Sequence, residues 1–494
     1  MKTKTILAGL VLAATATTAQ AGGILTNTNQ SIDFLRNPAR DAAIGLDGVY
    51  SNPAGVAFMP EGFHLGFNWQ YAHQTRTITS TNPVFALGRK NDNKSVKTFE
   101  GVADAPFIPS LQAAYNKGNW SLQFNFSIPG GGGACEFNDG LGSFESTVGG
   151  IATMLQPLGA QGYDMDGYMQ GRQYYFGFQL GSAYKVNENL AVYGGMRILY
   201  GTATYKAKIS NIMVKLASNT YVDFGTFLDN SISTVDAGLD QVAAGIAQYE
   251  AAGASAPDAL VQQQAQLQST KTSLNALQKY AEGVNLLCNQ SSVGIAPVVG
   301  VDYKFGNFNF SAKYVFKTEI HMTNESTVNK ASEIAAVNKF RDGEKINEDQ
   351  PAQLALGAQW SPIEPVRVNA GWHHYFDKQT NWYNNSQELL SHDSNEFLLG
   401  GEWDVNDRVT VSLGGQLTRY GLTDDYMNDM SFVVNSYSIG FGTNFKANEH
   451  VTLKAGYFQT NYTNYDRITQ DNPRISDSFT RTNYVLGLGC EITL

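Results

Sequence analysis

His373 and His374, with Asp377 three residues on, come closest in the sequence to a metal-binding arrangement. Neighbouring residues on a strand point to opposite faces, so two such imidazoles cannot close on one ion there. Asp424, Asp425 and Asp429 offer carboxylate oxygens of the kind Ca²⁺ takes, but their spacing is not that of an EF-hand loop. Gly130-Gly131-Gly132-Gly133 follows a strand-like stretch and opens no helix, so it does not read as a phosphate cradle. A hydrolase at a lipid boundary needs a Ser–His pair, and no spacing singles one out. The sequence makes no case for an enzyme, a cofactor or a metal. Three cysteines are too few for a disulfide scaffold. Cys135 and Cys288 fall at the loop-side ends of strand-like segments and can pair in an oxidising compartment, leaving Cys490 over. Three unpaired thiols is the other reading.

The elements that carry these residues show a period of two. In Trp120-Ser121-Leu122-Gln123-Phe124-Asn125-Phe126-Ser127-Ile128 every second residue is large and apolar, and those between are small or polar. Tyr174, Phe176, Phe178 and Leu180 repeat the pattern, as do Val409, Val411 and Leu413. Such alternation gives strands with one apolar and one polar face. About fourteen segments qualify, an even number as bacterial barrels require. They fall at 61–75, 106–117, 119–129, 172–186, 189–211, 291–304, 307–323, 346–360, 365–377, 395–405, 408–420, 432–446, 450–463 and 480–494. Short polar turns alternate with long connections, which places turns on one rim and loops on the other. In lipid every backbone N–H and C=O must be paired internally, so a β chain spans only as a closed ring. The fold class is therefore all-β, a closed antiparallel transmembrane barrel over 61–494.

Composition agrees. Charged residues are 16% of the 494, against roughly 25% in soluble domains, while aromatics reach 12%. A net charge of -10 without any Lys/Arg cluster excludes a nucleic-acid partner. No apolar run is long enough for a membrane helix. Residues 1–21 read as a secretory signal peptide: Lys2 and Lys4, an apolar stretch from Ile6 to Ala16, then Ala19-Gln20-Ala21. Residues 22–60 are turn-rich, with Asn37-Pro38-Ala39 and Asn52-Pro53-Ala54-Gly55, and form a compact plug candidate ahead of the first strand. Within the long connection at 212–290 the period changes to alternating three- and four-residue steps through Ile232, Val235, Leu239, Val242 and Ile246. After a break at Gly253 to Pro257 the helical spacing resumes, so 229–287 is expected to be a helical hairpin on the loop side.

These features together resemble the FadL family of outer-membrane transporters for long-chain fatty acids and other hydrophobic compounds, also called OmpP1/FadL or toluene-transport proteins. The resemblance rests on the leader, on Asn52-Pro53-Ala54-Gly55 in a short hatch, on about fourteen strands, and on the third strand's break at Pro129 to Gly133. The extra copy at Asn37-Pro38-Ala39 and the long hairpin depart from the pattern. The resemblance implies passive uptake without chemistry. A hydrophobic, fatty-acid-like ligand lands between loops three and four (212–290 and 324–345) and enters an apolar lumen pocket. It leaves sideways into the membrane once the hatch, gated at Asn52, Pro53, Ala54 and Gly55, has shifted. The exit would be the kink at Pro129, Gly130, Gly131, Gly132 and Gly133. The other expected partners are outer-membrane lipid and lipopolysaccharide, with the chain acting as a monomer. The pocket residues and the ligand's identity are not legible. A water-filled porin and a surface adhesin barrel are the competing readings; Tyr175, Leu398, Phe458 and Val485 at inward positions argue against the porin.

Overall fold

The computed structural model describes residues 24–328, 339–469 and 472–494. The proposed leader, Met1 to Ala21, and part of loop four lie outside them. Fourteen strands close into one antiparallel ring. They are β1 (Gly62–Thr81), β2 (Val96–Lys117), β3 (Trp120–Phe137), β4 (Ala160–Lys185), β5 (Leu190–Leu216), β6 (Val284–Phe305) and β7 (Phe308–Val315). The ring continues through β8 (Gln353–Ile363), β9 (Val366–Tyr375), β10 (Ser394–Asn406), β11 (Val409–Arg419), β12 (Ser436–Lys446), β13 (Val451–Tyr462) and β14 (Ser476–Thr493). β1 pairs with β14 from His64 opposite Thr493 to Thr81 opposite Ser476, which seals the ring.

Alternation explains the barrel's two faces. On β10 Phe397, Leu399 and Trp403 are exposed outward, while Glu396, Leu398 and Glu402 are buried inward. Phe67, Trp120, Leu180, Val293, Phe310, Trp360 and Phe441 continue the exposed apolar belt around the ring. So large an exposed apolar surface is stable only against lipid. Among the described residues no helix is long and apolar enough to cross a membrane. The short turns fall where expected, from Lys117 to Trp120 and from Lys185 to Leu190, for example.

The strands outrun their sequence signal on the loop side. β1 extends to Thr81, β2 begins at Val96, β3 runs to Phe137 and β4 begins at Ala160. Beyond the belt, outward positions such as Thr75, Thr77, Thr79, Thr98 and Glu100 are polar. The backbone ladder continues there, but the apolar half of the alternation is gone. The seventh segment is interrupted: β7 stops at Val315, and a further strand, His321–Val328, pairs with β6.

Among the described residues four α-helices accompany the ring: α1 (Ile32–Arg36), α2 (Gly142–Met154), α3 (Phe224–Ala251) and α4 (Asp258–Leu277). α3 and α4 pack as the expected hairpin, burying Val235, Val242 and Leu274. At 28 residues α3 is about 42 Å long. The hairpin ends before Val284, which with Leu286 and Leu287 belongs to β6.

The possible Cys135–Cys288 disulfide is absent: all three cysteines are free. Cys135 lies on β3 and Cys288 on β6, with β4 and β5 between them. Three strand spacings amount to roughly 14 Å, about twice the Cα separation a disulfide tolerates. Sequence spacing located both residues at loop-side strand ends but not their angle around the ring.

Asp377, buried in the connection after β9, accepts from the Ser394 N–H (3.1 Å). Burial pushes its pKa from 3.8 up to about 7, aided by Asp393 nearby. The folded loop therefore holds the proton more tightly than the unfolded one, and its stability falls as pH rises from about 4 to about 7. Hydrogen exchange corrected for intrinsic rates should show amides 376–393 losing protection over that range, and Asp377→Asn should flatten the response.

Candidate functional site

The wall is broken between β2 and β3. Leu111 pairs with Phe126, and the ladder resumes only at Asp104 opposite Ala134. Proline accounts for much of this, since it has no N–H to donate. Pro129 stands on one side of the break, Pro106 and Pro109 on the other. β3 stays paired to β4 but through two bulges, between Ser127 and Gly130 and between Gly131 and Ala134. Gly131 (φ 85°) and Gly133 (φ 55°) hold the left-handed backbone there, which suits glycine. Pro106 and Pro109, three residues apart inside an expected strand, were the unread sequence signal for the partner edge.

Freed backbone groups in a buried wall must find other partners, and residues 25–30 supply them. The Asn27 N–H donates to the Pro129 carbonyl (2.8 Å) and its side-chain amide to the Gly131 carbonyl (2.7 Å). Gln30 donates to the Ile128 carbonyl (3.1 Å) and accepts from the Ile128 N–H (3.0 Å). On the β2 side Ser110 Oγ donates to the Gln30 carbonyl (2.6 Å). On the outer face the Trp69 indole donates to the Pro106 carbonyl (2.9 Å). Ile24 and Leu25 join a large apolar cluster on the loop side that includes Ile78, Phe99, Tyr175, Tyr205, Phe432 and Phe479.

The rest of the N-terminal segment is fixed by charge. Arg36 reaches Asp33 (2.8 Å) and Glu402 on β10 (2.7 Å), while Arg40 reaches Asp47 (2.8 Å) and the same Glu402 (3.1 Å). Lys454 on β13 joins Asp33 to Glu491 on β14, each at 2.6 Å. Asn37 and Pro38 lie against Gly400 and Gly414, where any side chain would collide with them. The additional Asn-Pro-Ala copy is thus seated on a glycine-lined patch of wall.

Asn52 donates to Asp302 on β6 (2.6 Å), and the Pro53 carbonyl accepts from Gln123 on β3 (2.7 Å). Ala54 packs with Ala183, Ala191 and Val298, and Gly55 lies so near Asn52 and Asp302 that a Cβ would clash. Asn52 to Gly55 therefore touch β3 at a different height from that strand's own break at Pro129 to Gly133. Six residues, or about 20 Å, separate Gln123 from Pro129. Asn27 and Gln30, which do touch the break, were missed because two isolated amides carry no pattern.

The residues weighed for metal chemistry are dispersed. His373 lies between Asp41 and Glu396, 2.9 Å from each, while His374 turns to Asn395 (3.0 Å). Asp424 accepts from Tyr465 OH (2.9 Å), and buried Asp429 accepts from the Ser143 N–H at the start of α2 (2.7 Å). Burial raises the Asp429 pKa.

A closed ring of fourteen strands with an apolar exterior, its interior occupied by its own N-terminal residues, defines a transmembrane β-barrel with a filled lumen. No protein-family model and no curated protein matches the chain. Among solved structures its fold is similar to a FadL homologue of Pseudomonas aeruginosa. That match has a TM-score of 0.61 and 11% identity, over 96% of this chain and all of that one. It is also similar to the toluene transporters TodX of P. putida (0.55, 12%, 91% and 94%) and TbuX of Ralstonia pickettii (0.52, 12%, 98% and 99%). The FadL resemblance read from the sequence thus holds at the level of the fold.

Proposed function

We propose that the chain is an outer-membrane channel for passive uptake of hydrophobic small molecules, long-chain fatty acids or aromatic compounds among them. The carrying observation is the broken β2–β3 ladder, covered from inside by Asn27 and Gln30. Ligand enters among the extracellular loops, passes along the apolar cluster that Ile24 and Leu25 border, and leaves sideways into lipid when residues 25–30 lift. Release into water would re-expose apolar surface at about 0.8 kcal/mol per CH₂, and a side exit avoids that cost. In this reading residues 22–60 are the hatch, Asn52 to Gly55 are its fixed foot, and Pro129 to Gly133 are one edge of the exit. The fold neighbours support the reading, and Met1 to Ala21 would direct export.

The test is Asn27→Ala combined with Gln30→Ala. Losing three side-chain hydrogen bonds worth roughly 1 kcal/mol each should favour the lifted state, and uptake of radiolabelled oleate or toluene by cells should rise by at least about fivefold. Unchanged uptake of both would put the exit elsewhere.

A further inference from the structure

The connection between β7 and β8 runs on past the expected loop four to residue 352, and residues 339–352 do not stay outside the ring: Phe340, Glu348, Asp349 and Gln350 are all buried. Glu348, Asp349 and Gln350 are extended, so the first and third side chains share a face and the second takes the other. Toward β3 and β4, Glu348 accepts from Tyr175 OH (3.3 Å) and from Gln173. Gln350 donates to the Leu25 carbonyl (2.8 Å), the first link of the segment over the break. Toward the loops, Asp349 accepts from the backbone N–H groups of Ile320 (3.0 Å) and Asn381 (3.1 Å). Its own carbonyl accepts from the Trp382 indole (2.9 Å).

Gly130 belongs to the same junction. A Cβ there would stand 2.5 Å from Gln350 Nε2 and 2.6 Å from the Leu25 carbonyl oxygen, so glycine lets wall, crossbar and cover meet.

We infer that Glu348-Asp349-Gln350 is a crossbar that couples the arrangement of extracellular loop four and of the connection after β9 (376–393) to the cover over the wall break, with Gln350 as the positioning residue. The inference rests on the proposed reading of the break as the exit. A ligand that rearranges the loops around Asp349 shifts Gln350, and the Leu25 carbonyl loses its donor. Coupling then needs no contact between ligand and cover, only an element whose position both ends bias.

The experiment uses the full chain in detergent and in liposomes, with hydrogen exchange followed over residues 25–31. Gln350→Met keeps the length but removes the donor, and should speed exchange there roughly fivefold. Trp382→Phe removes the indole bond to Asp349 while keeping an aromatic ring in the cluster, and should speed exchange over 25–31 in the same direction. A purely structural Trp382 would alter only amides 376–393, and that result would overturn the inference. No change with Gln350→Met would overturn it as well. If both variants speed exchange while oleate and toluene uptake stay at the wild-type rate, the crossbar stands and the exit reading falls. If Asn27→Ala with Gln30→Ala raises uptake while neither crossbar variant alters exchange, the exit stands and the crossbar falls.

Discussion

Glu402→Ala is expected to unseat the N-terminal segment and open the lumen to ions. Three cations share this one buried carboxylate: Arg36 at 2.7 Å, Arg40 at 3.1 Å and Arg367 at 3.3 Å. Arg36 and Arg40 are themselves buried, and without Glu402 each keeps one carboxylate, Asp33 or Asp47, but loses its ion pair to the wall. The cost stays below the roughly 3–5 kcal/mol of an uncompensated buried charge. The barrel can escape that cost without unfolding, because the ladder needs none of these groups. The segment carrying both arginines is free to leave the wall, whereas the wall is closed by backbone bonds. Planar-bilayer recordings should show steady conductance where wild type is closed, and protease should gain access to residues 24–59. Asp404→Ala is the control. Asp404 is 36% exposed and its partner Arg367 23%, so this half-buried pair is screened by solvent in a way the Glu402 cluster is not. Closed recordings from Glu402→Ala would refute the charge anchor.

Gly131→Val should be far more damaging than Gly133→Asn, although the two positions are neighbours in one glycine run. Both hold positive φ, at 85° and 55°. A Cβ on Gly131 would collide with the Gln173 carbonyl and lie 2.6 Å from the Tyr174 Cα, both backbone atoms of β4 that cannot step aside. On Gly133 the nearest atoms are 3.8 Å away, and asparagine tolerates the left-handed region. Strain of about 1–3 kcal/mol plus the collision should part β3 from β4 in the valine variant. Folded barrel recovered from membranes, read by the heat-dependent gel shift, should fall severalfold for Gly131→Val and stay near wild type for Gly133→Asn. Equal recovery would mean that the bulge is not fixed by Gly131. Replacing all four glycines at once would confound closing the exit with breaking the neighbouring seam.

The strands were legible because lipid outside and polar groups inside impose a period of two on each of them. That signal ends where the membrane ends, which is why β1 to β4 outrun it. One edge of the break was legible in Pro129 and its glycines; the opposite edge, at Pro106 and Pro109, was written as plainly but reads as a break only once the two strands are set side by side. The cover was not legible. Asn27 and Gln30 meet β3 about a hundred positions along the chain, largely through backbone atoms that no side-chain pattern reports. The arginine anchors and the inward turn of loop four depend in the same way on where strands stand around the ring. So did the refuted disulfide.

The segment that fills the ring is joined to β1, and β1 forms the closing seam with β14. The chain's connectivity therefore tethers the occupant to the seam that closes the ring. It sits at the leading end of the seam's own strand, on the inner side of the wall. Stopper and closing stitch are one continuous stretch of chain.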